Sequence, residues 1–193
     1  MYGRFPPKAF VTATLAVGTV TVCAAFVQAA PGASASAVGC AQRAETSEPT
    51  VFNDPRYRKL ENPLVLGPIQ FNGVKRVSTL PSFTRVGLRD GYYQVKVTLI
   101  VKASRRLELR VIGLGSSTPV LLDYGSAAAD SSLRITSCSP TTAARSRSGV
   151  VGSGTIFTGT FEVPAPECVA VTIANRATIK AWRGRLPFGH ACV

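Results

Sequence analysis

Apolar and polar side chains alternate one by one over several short stretches, and this alternation constrains the fold more than any other feature. The clearest stretch is 93–101, where every second residue from Tyr93 to Val101 is apolar. A period of two residues is typical of a β-strand with one face in the core. Alternation of the same kind is present at 107–111 and 155–163, and further short strands are expected at 119–124, 132–136, 169–174 and 178–182. The sequence therefore predicts an all-β fold, a single antiparallel β-sandwich of Ig-like architecture with about seven to nine strands.

The first 37 residues have the composition of a secretory signal peptide. Arg4 and Lys8 precede an apolar run over 9–27, and a segment of small residues follows over 28–37. This order predicts a signal peptide at 1–37, with cleavage after Ala37 as first choice and after Ala29 or Ala35 as alternatives. An irregular segment is then expected over 38–62 and the β-sandwich domain over 63–193.

Two other fates of the N-terminus stay open at this stage. The apolar run at 9–27 is just long enough to cross a bilayer as an uncleaved anchor. Gly39 also supplies the small residue that lipid attachment requires before an acceptor cysteine, here Cys40. All of these alternatives place the protein outside the cytoplasm, either secreted or associated with the cell envelope.

The cysteines predict two disulfide bonds. Cys23 lies in the leader, and the rest of the chain keeps four, Cys40, Cys138, Cys168 and Cys192. An even number of cysteines in an exported chain is typical of disulfides. These four are too widely spaced to resemble the close pairs of a zinc site. Any of the three possible pairings fits the sequence.

A strong excess of basic residues is the sequence's main indication of a partner. The formal net charge is +12. The candidate anion-binding residues occur in short clusters in expected loops and strand ends: Arg56, Arg58, Lys59, Arg105, Arg106, Arg145, Arg147, Arg183 and Arg185. Such charge attracts acidic polymers and surfaces. Because export excludes intracellular nucleic acid, we expect an anionic cell-wall polymer or a membrane surface as the partner.

Catalytic and cofactor motifs are not recognisable in this chain. His190 is the single histidine and lies beside Cys192, the acidic residues are scattered, and no Gly-x-Ser-x-Gly sequence is present. We expect no catalytic residue, no metal and no cofactor. One alternative is a secreted protease inhibitor that presents Arg145 and Arg147 from the loop 139–154. Another is a secreted hydrolase without a recognisable motif.

Several segments follow one another along the chain in a characteristic order. The alternating strands 94–101 and 107–111 are followed by a strand ending at Cys138, the aromatic strand 156–163, a Cys-Val strand start at Cys168 and a Pro-Phe-Gly-x-x-Cys terminus. This order resembles a family of small secreted proteins from high-GC Gram-positive (actinobacterial) bacteria. The resemblance covers about 63–193 and implies a fold and a compartment, whereas the family has no established activity to carry over.

Overall fold

A computed structural model describes residues 36–55, 63–125 and 128–192, which belong to one unit over Ala33–Val193. Short 3-10 turns occur at Cys40–Gln42 and Val74–Val77, and one helical turn, α1, spans Leu80–Phe83. The strands are β1 (Ser36–Val38), β2 (Leu64–Leu66), β3 (Ile69–Asn72), β4 (Leu88–Arg89), β5 (Tyr92–Lys96), β6 (Thr98–Lys102), β7 (Arg106–Gly113), β8 (Leu121–Tyr124), β9 (Ser132–Thr136), β10 (Gly154–Phe157), β11 (Gly159–Val163), β12 (Glu167–Asn175) and β13 (Ala181–Phe188).

These strands form three sheets. A five-stranded sheet has the order β1-β9-β7-β12-β13, and two four-stranded sheets have the orders β10-β6-β3-β2 and β4-β5-β11-β8. Neighbouring strands are antiparallel except β1 and β9, which are parallel. The prediction of an all-β fold is confirmed. The Ig-like arrangement is not, because the described strands are more numerous than expected and divide among three sheets.

The five-stranded sheet has one apolar face and one polar face. In β7, Leu107, Leu109 and Val111 are buried, while Arg106 and Arg110 are exposed. The long β12–β13 hairpin continues the pattern, with the buried residues of β12 in register with those of β7. Period-2 alternation thus places every inward side chain of these strands in the core and every arginine on the outside.

The other two sheets are joined by strands that bend from one into the other. The stretch 93–101, predicted as one strand, divides at Val97 into β5 and β6, and 155–163 divides at Thr158 into β10 and β11. The Val97 N–H donates to the Gly159 carbonyl at 3.1 Å, and the Tyr124 hydroxyl donates to the Val97 carbonyl at 2.6 Å. Burial raises the pKa of Tyr124, which keeps the phenol protonated as the donor.

Aromatic rings connect the layers inside the core. The Phe161 ring on β11 lies 5.2 Å from the Phe188 ring on β13, between centroids, and also packs edge-on against Phe71 and Tyr124. All four side chains are fully buried. Such contacts add about 0.5–1.5 kcal/mol each beyond the burial of apolar area.

The two predicted disulfides are confirmed, and the structure supplies their pairing. Cys40 is bonded to Cys138, which follows β9, and Cys168 at the start of β12 is bonded to Cys192 near the C-terminus. Because the Cys40 sulfur is held in a disulfide, lipidation at Cys40 is incompatible with this structure. No helix within the described ranges is long and apolar enough to cross a membrane.

The N-terminal boundary proposed from the sequence falls inside a strand. Ser36 and Val38 of β1 are 3% and 4% exposed, and they pair with Leu133 and Ile135 of β9. The segment after β1 is also attached to the fold, since Ala44 forms a bridge with Ile156. The leader itself up to residue 35 lies outside the described residues, and its cleavage stays a prediction.

Replacement of Gly159 by alanine tests the bend between the two four-stranded sheets. A Cβ at Gly159 would clash with the Asp123 carbonyl oxygen, so we expect Gly159→Ala to lower the free energy of unfolding by about 2–3 kcal/mol. Gly87→Ala is the matched control, because a Cβ there meets nothing within 4 Å. Urea denaturation measures both. Equal stability of the two variants would contradict the steric role of Gly159.

The contribution of β1 can be measured with chains that begin at different residues. A chain starting at Ala30 retains β1, whereas one starting at Val38 loses two of its three residues. We expect the shorter chain to be less stable by about 1–3 kcal/mol, from lost ladder hydrogen bonds and a charged terminus at a buried position. Thermal denaturation of both disulfide-bonded chains checks this. Identical melting temperatures would show that β1 adds nothing to stability.

Candidate anion-binding face

The structure separates the basic residues predicted from sequence into different environments. Arg56, Arg58 and Lys59 lie outside the described residues. Arg105 is half-buried, with its Nε enclosed and without a hydrogen-bond partner within the described chain, in the connection between β6 and β7. That connection joins two different sheets and is not a hairpin.

Arg145 and Arg147 hold the loop that carries them against the N-terminal segment. The Arg145 guanidinium donates to the carbonyls of Ala41 and Arg43, each at 2.9 Å. The Arg147 guanidinium donates to the Thr46 carbonyl at 3.0 Å and to the Val150 carbonyl at 2.7 Å. Both side chains therefore bind the protein's own backbone, and the Arg145 side chain is also 56% exposed.

Glu45 is the electrostatic centre of this attachment. Its carboxylate accepts the backbone N–H groups of Arg145 and Ser146, each at 2.8 Å, and it pairs with Arg43, which is 7% exposed. These backbone N–H groups are the main reason that the pKa of Glu45 falls from its ordinary 4.5 to about 2. Arg43 in turn donates to the Cys40 and Ala143 carbonyls, so the network closes around the Cys40–Cys138 disulfide.

Arg106, Arg183 and Arg185 share one surface, the outer face of the five-stranded sheet, with Arg106 near the β12–β13 turn and Arg185 further along the sheet. Two arginines that the sequence clusters missed, Arg110 and Arg134, point to the same side, because they share the strand parity of the exposed residues. The period-2 alternation was the signal that could have found them. A search for basic residues that are close together in the sequence does not find Arg110 and Arg134, because neither has a basic neighbour.

We call this outer surface the arginine face. It comprises the outward side chains of β7, β9, β12 and β13 and the turn that joins β12 to β13. Arg176 in that turn lies beside Arg106, since its backbone N–H donates to the Arg106 carbonyl at 2.9 Å. Within this described surface the outward side chains include one carboxylate, Glu108, against six arginines: Arg106, Arg110, Arg134, Arg176, Arg183 and Arg185.

A floor of small side chains runs through the middle of the arginine face. Ala170, Thr172 and Ala174 of β12 are its outward residues, and Thr172 lies in register between Arg110 of β7 and Arg183 of β13. Because neighbouring strands lie about 4.8 Å apart, β7 and β13 are separated by about 10 Å across this floor. The result is a shallow channel with arginines along both sides.

Glu108 reduces the positive charge on the β7 side of the channel. Its Oε1 pairs with Arg110 Nη2 at 2.6 Å, and Arg110 remains two-thirds exposed. A surface ion pair of this kind is worth little to stability. Arg110 can therefore turn towards an anionic ligand at small cost.

A cavity of about 330 Å³ lies at the Arg185 end of the face. It is lined by the Cys168 end of β12, by Leu114 and by the single histidine, His190. The His190 side chain is exposed, and its Nδ1 lies 2.8 Å from the Ala191 carbonyl oxygen. Glu167 also lines the cavity and is 3% exposed, with Oε2 accepting the Gly115 N–H at 2.9 Å. The described ranges contain no cluster of three His, Cys, Asp or Glu side chains that could hold a metal ion.

Comparison with protein-family models, with curated proteins and with solved structures finds no match to this chain. The resemblance to an actinobacterial secreted family thus stays a prediction.

The lowered pKa of Glu45 predicts a pH-dependent contribution to stability. Because the carboxylate is more acidic in the folded state, its stabilising effect is complete above about pH 4.5 and is lost as the pH falls towards 2. We expect Glu45→Gln to unfold at lower urea concentration than the wild type at pH 6, with the difference vanishing near pH 2. Asp90→Asn is the control, since Asp90 is 88% exposed. A difference independent of pH would contradict this role of Glu45.

Proposed function

We propose that this chain is an exported, non-catalytic protein that binds linear anionic polymers of the cell envelope through the arginine face. The observation that carries the proposal is the channel itself, in which Arg110 and Arg183 flank the Thr172 position across three paired strands. Rows of cations on both sides of a channel can neutralise successive charges of a chain lying along it. The affinity of such a complex falls as salt rises, because counterions are released on binding.

The shape of the face favours an extended ligand. The floor residues Ala170, Thr172 and Ala174 have short side chains, so a chain can approach the sheet closely along the whole length of β12. An arginine guanidinium group donates two parallel hydrogen bonds to a phosphate or a carboxylate, in a bidentate arrangement. A polymer with regularly spaced phosphates or carboxylates therefore suits both the charge and the length of the channel.

A polymer suits the face better than a membrane does. Membrane-surface binding through a basic face depends on large apolar side chains that enter the lipid. The floor here consists of alanine and threonine, which favours a polymer, whereas two large apolar side chains lie at the edges of the face: Ile112, 65% exposed, and Ile179 in the β12–β13 turn, fully exposed. Anionic vesicles consequently serve as a test of this choice.

The compartment is consistent with such a ligand. The two disulfides fit an extracellular protein. Anionic polymers of this kind occur there as wall polymers and acidic polysaccharides. The inhibitor and hydrolase alternatives stay predictions from the sequence.

Binding to defined polymers tests the proposal. The probes are inorganic polyphosphate, polyglutamate and uncharged dextran, with binding measured by calorimetry between 20 and 300 mM salt, a range of about one decade. We expect binding to the two polyanions, none to dextran, and an affinity that falls steeply with salt. Arg106→Gln and Arg183→Gln should each weaken binding about fivefold at low salt and reduce the salt slope by about one.

The control is Arg85→Gln, which removes one positive charge from an exposed position outside the arginine face. It should leave affinity nearly unchanged. An equal loss in Arg85→Gln and Arg183→Gln would show that net charge alone attracts the polymer and would overturn the assignment to this face. Tighter binding to phosphatidylglycerol vesicles than to polyphosphate would favour a membrane partner instead.

A further inference from the structure

A second concave site lies in the other two sheets, away from the arginine face. A cavity of about 500 Å³ opens beside the end of β5 and the start of β6, under the turn that follows β3. Its size falls within the range of small-molecule sites. Val77 and Val86, both half-buried, supply apolar lining.

The turn is held close against β5 by a glycine. Gly73 has a φ of 97°, which favours glycine, and a Cβ there would lie 2.9 Å from the Lys96 carbonyl oxygen. The 3-10 turn Val74–Val77, which contributes Val77 to this lining, is therefore packed directly against β5. The cavity is formed before any ligand binds.

Three of the residues that line this space have uncharged polar side chains, which suit hydroxyl groups. Asn72 is 6% exposed, and its Oδ1 accepts the Gln70 Nε2 at 2.8 Å, so its amide N–H groups are what it offers a ligand. Gln94 donates its Nε2 to Glu162 at 3.2 Å, which leaves its Oε1 as an acceptor. Thr98, in register with Asn72, adds a hydroxyl.

The charged side chains that line the cavity are basic. Arg76 comes from the turn and Lys96 from the end of β5, and both are exposed at the mouth. Glu162, the carboxylate that holds Gln94, is not among the lining side chains of the cavity. The local charge therefore favours a ligand with an anionic group over a neutral or cationic one.

We propose that this cavity binds a small polyhydroxylated anion, such as a sugar phosphate or a polyol phosphate. The phosphate lies between Arg76 and Lys96, and the hydroxyl groups bond to Asn72, Gln94 and Thr98. The carbon skeleton packs against Val77 and Val86. This site is separate from the arginine face and does not depend on the polymer-binding proposal.

Calorimetric titration of the purified, disulfide-bonded protein tests the site. The probes are glucose 6-phosphate, glycerol 3-phosphate, glucose and inorganic phosphate, at one salt concentration. We expect saturable binding of at least one phosphorylated probe, at least tenfold tighter than glucose or inorganic phosphate. Lys96→Met should weaken that binding about tenfold, as expected for loss of one charged hydrogen bond.

Two further variants make the result specific. Lys75→Gln removes a neighbouring charge from the same turn without altering the lining and should bind like the wild type. Thr98→Val should weaken the phosphorylated probe and leave inorganic phosphate unchanged. Thermal denaturation confirms that each variant is folded. Failure of every phosphorylated probe to bind, equal affinity for inorganic phosphate, or an equal loss in Lys75→Gln would overturn the proposal.

Discussion

The alternating burial of β7, β12 and β13 is the constraint on which the rest of this structure depends. The inward positions of these paired strands are buried against the core, so the arginines of the strands are confined to the outside. In three strands of fixed register this produces a surface, because Arg110, Thr172 and Arg183 must then lie in one row. The arginine face is thus a consequence of how the sheet is paired, and its rigidity comes from the core beneath it.

The remaining elements keep that sheet covered. The bend at Val97 and Thr158 lets two long stretches each serve two sheets, and the Tyr124 hydroxyl bond to the Val97 carbonyl stabilises it at the core. The N-terminal segment is fastened by the Cys40–Cys138 disulfide and by Glu45, which accepts N–H groups from the loop at Arg145. Two of the most conspicuous arginines in the sequence are therefore part of the scaffold.

Much of the local structure could be predicted from the sequence, because alternation is a property of neighbouring residues. The strands β7, β8, β9 and β12 lie where the pattern predicts them, and the cysteine count predicts the two disulfides. The strand expected at 178–182 is wrong in its bounds, because β13 begins at Ala181 and continues to Phe188. The division of 93–101 between two sheets at Val97 could not be predicted from the sequence, because the apolar and polar residues alternate without interruption through Val97. β1 gives no strand signal in the sequence, because Ser36 and Ala37 belong to the small-residue end of the predicted leader and the pairing of β1 with β9 is a long-range contact.

The candidate sites, too, were predictable in some of their residues but not in their long-range contacts. Arg106, Arg183 and Arg185 were singled out from sequence, but their common surface depends on register between strands far apart in the chain. The attachment of Arg145 and Arg147 to the N-terminal segment could not be predicted from sequence, because the Arg43 and Thr46 carbonyls that they bind lie about a hundred positions away. The cavity at Asn72 and Lys96 is built by three separate segments and leaves no local signal.

The central claim is that a polyanion lies along β12 of the arginine face. The most direct measurement is an NMR titration of the ¹⁵N-labelled, disulfide-bonded protein with short polyphosphate. The account predicts that the largest amide shifts fall on Ala170, Thr172 and Ala174 and on the flanking arginines Arg110 and Arg183. Shifts centred on the loop at Arg145 and Arg147, or spread evenly over all exposed basic residues, would contradict it.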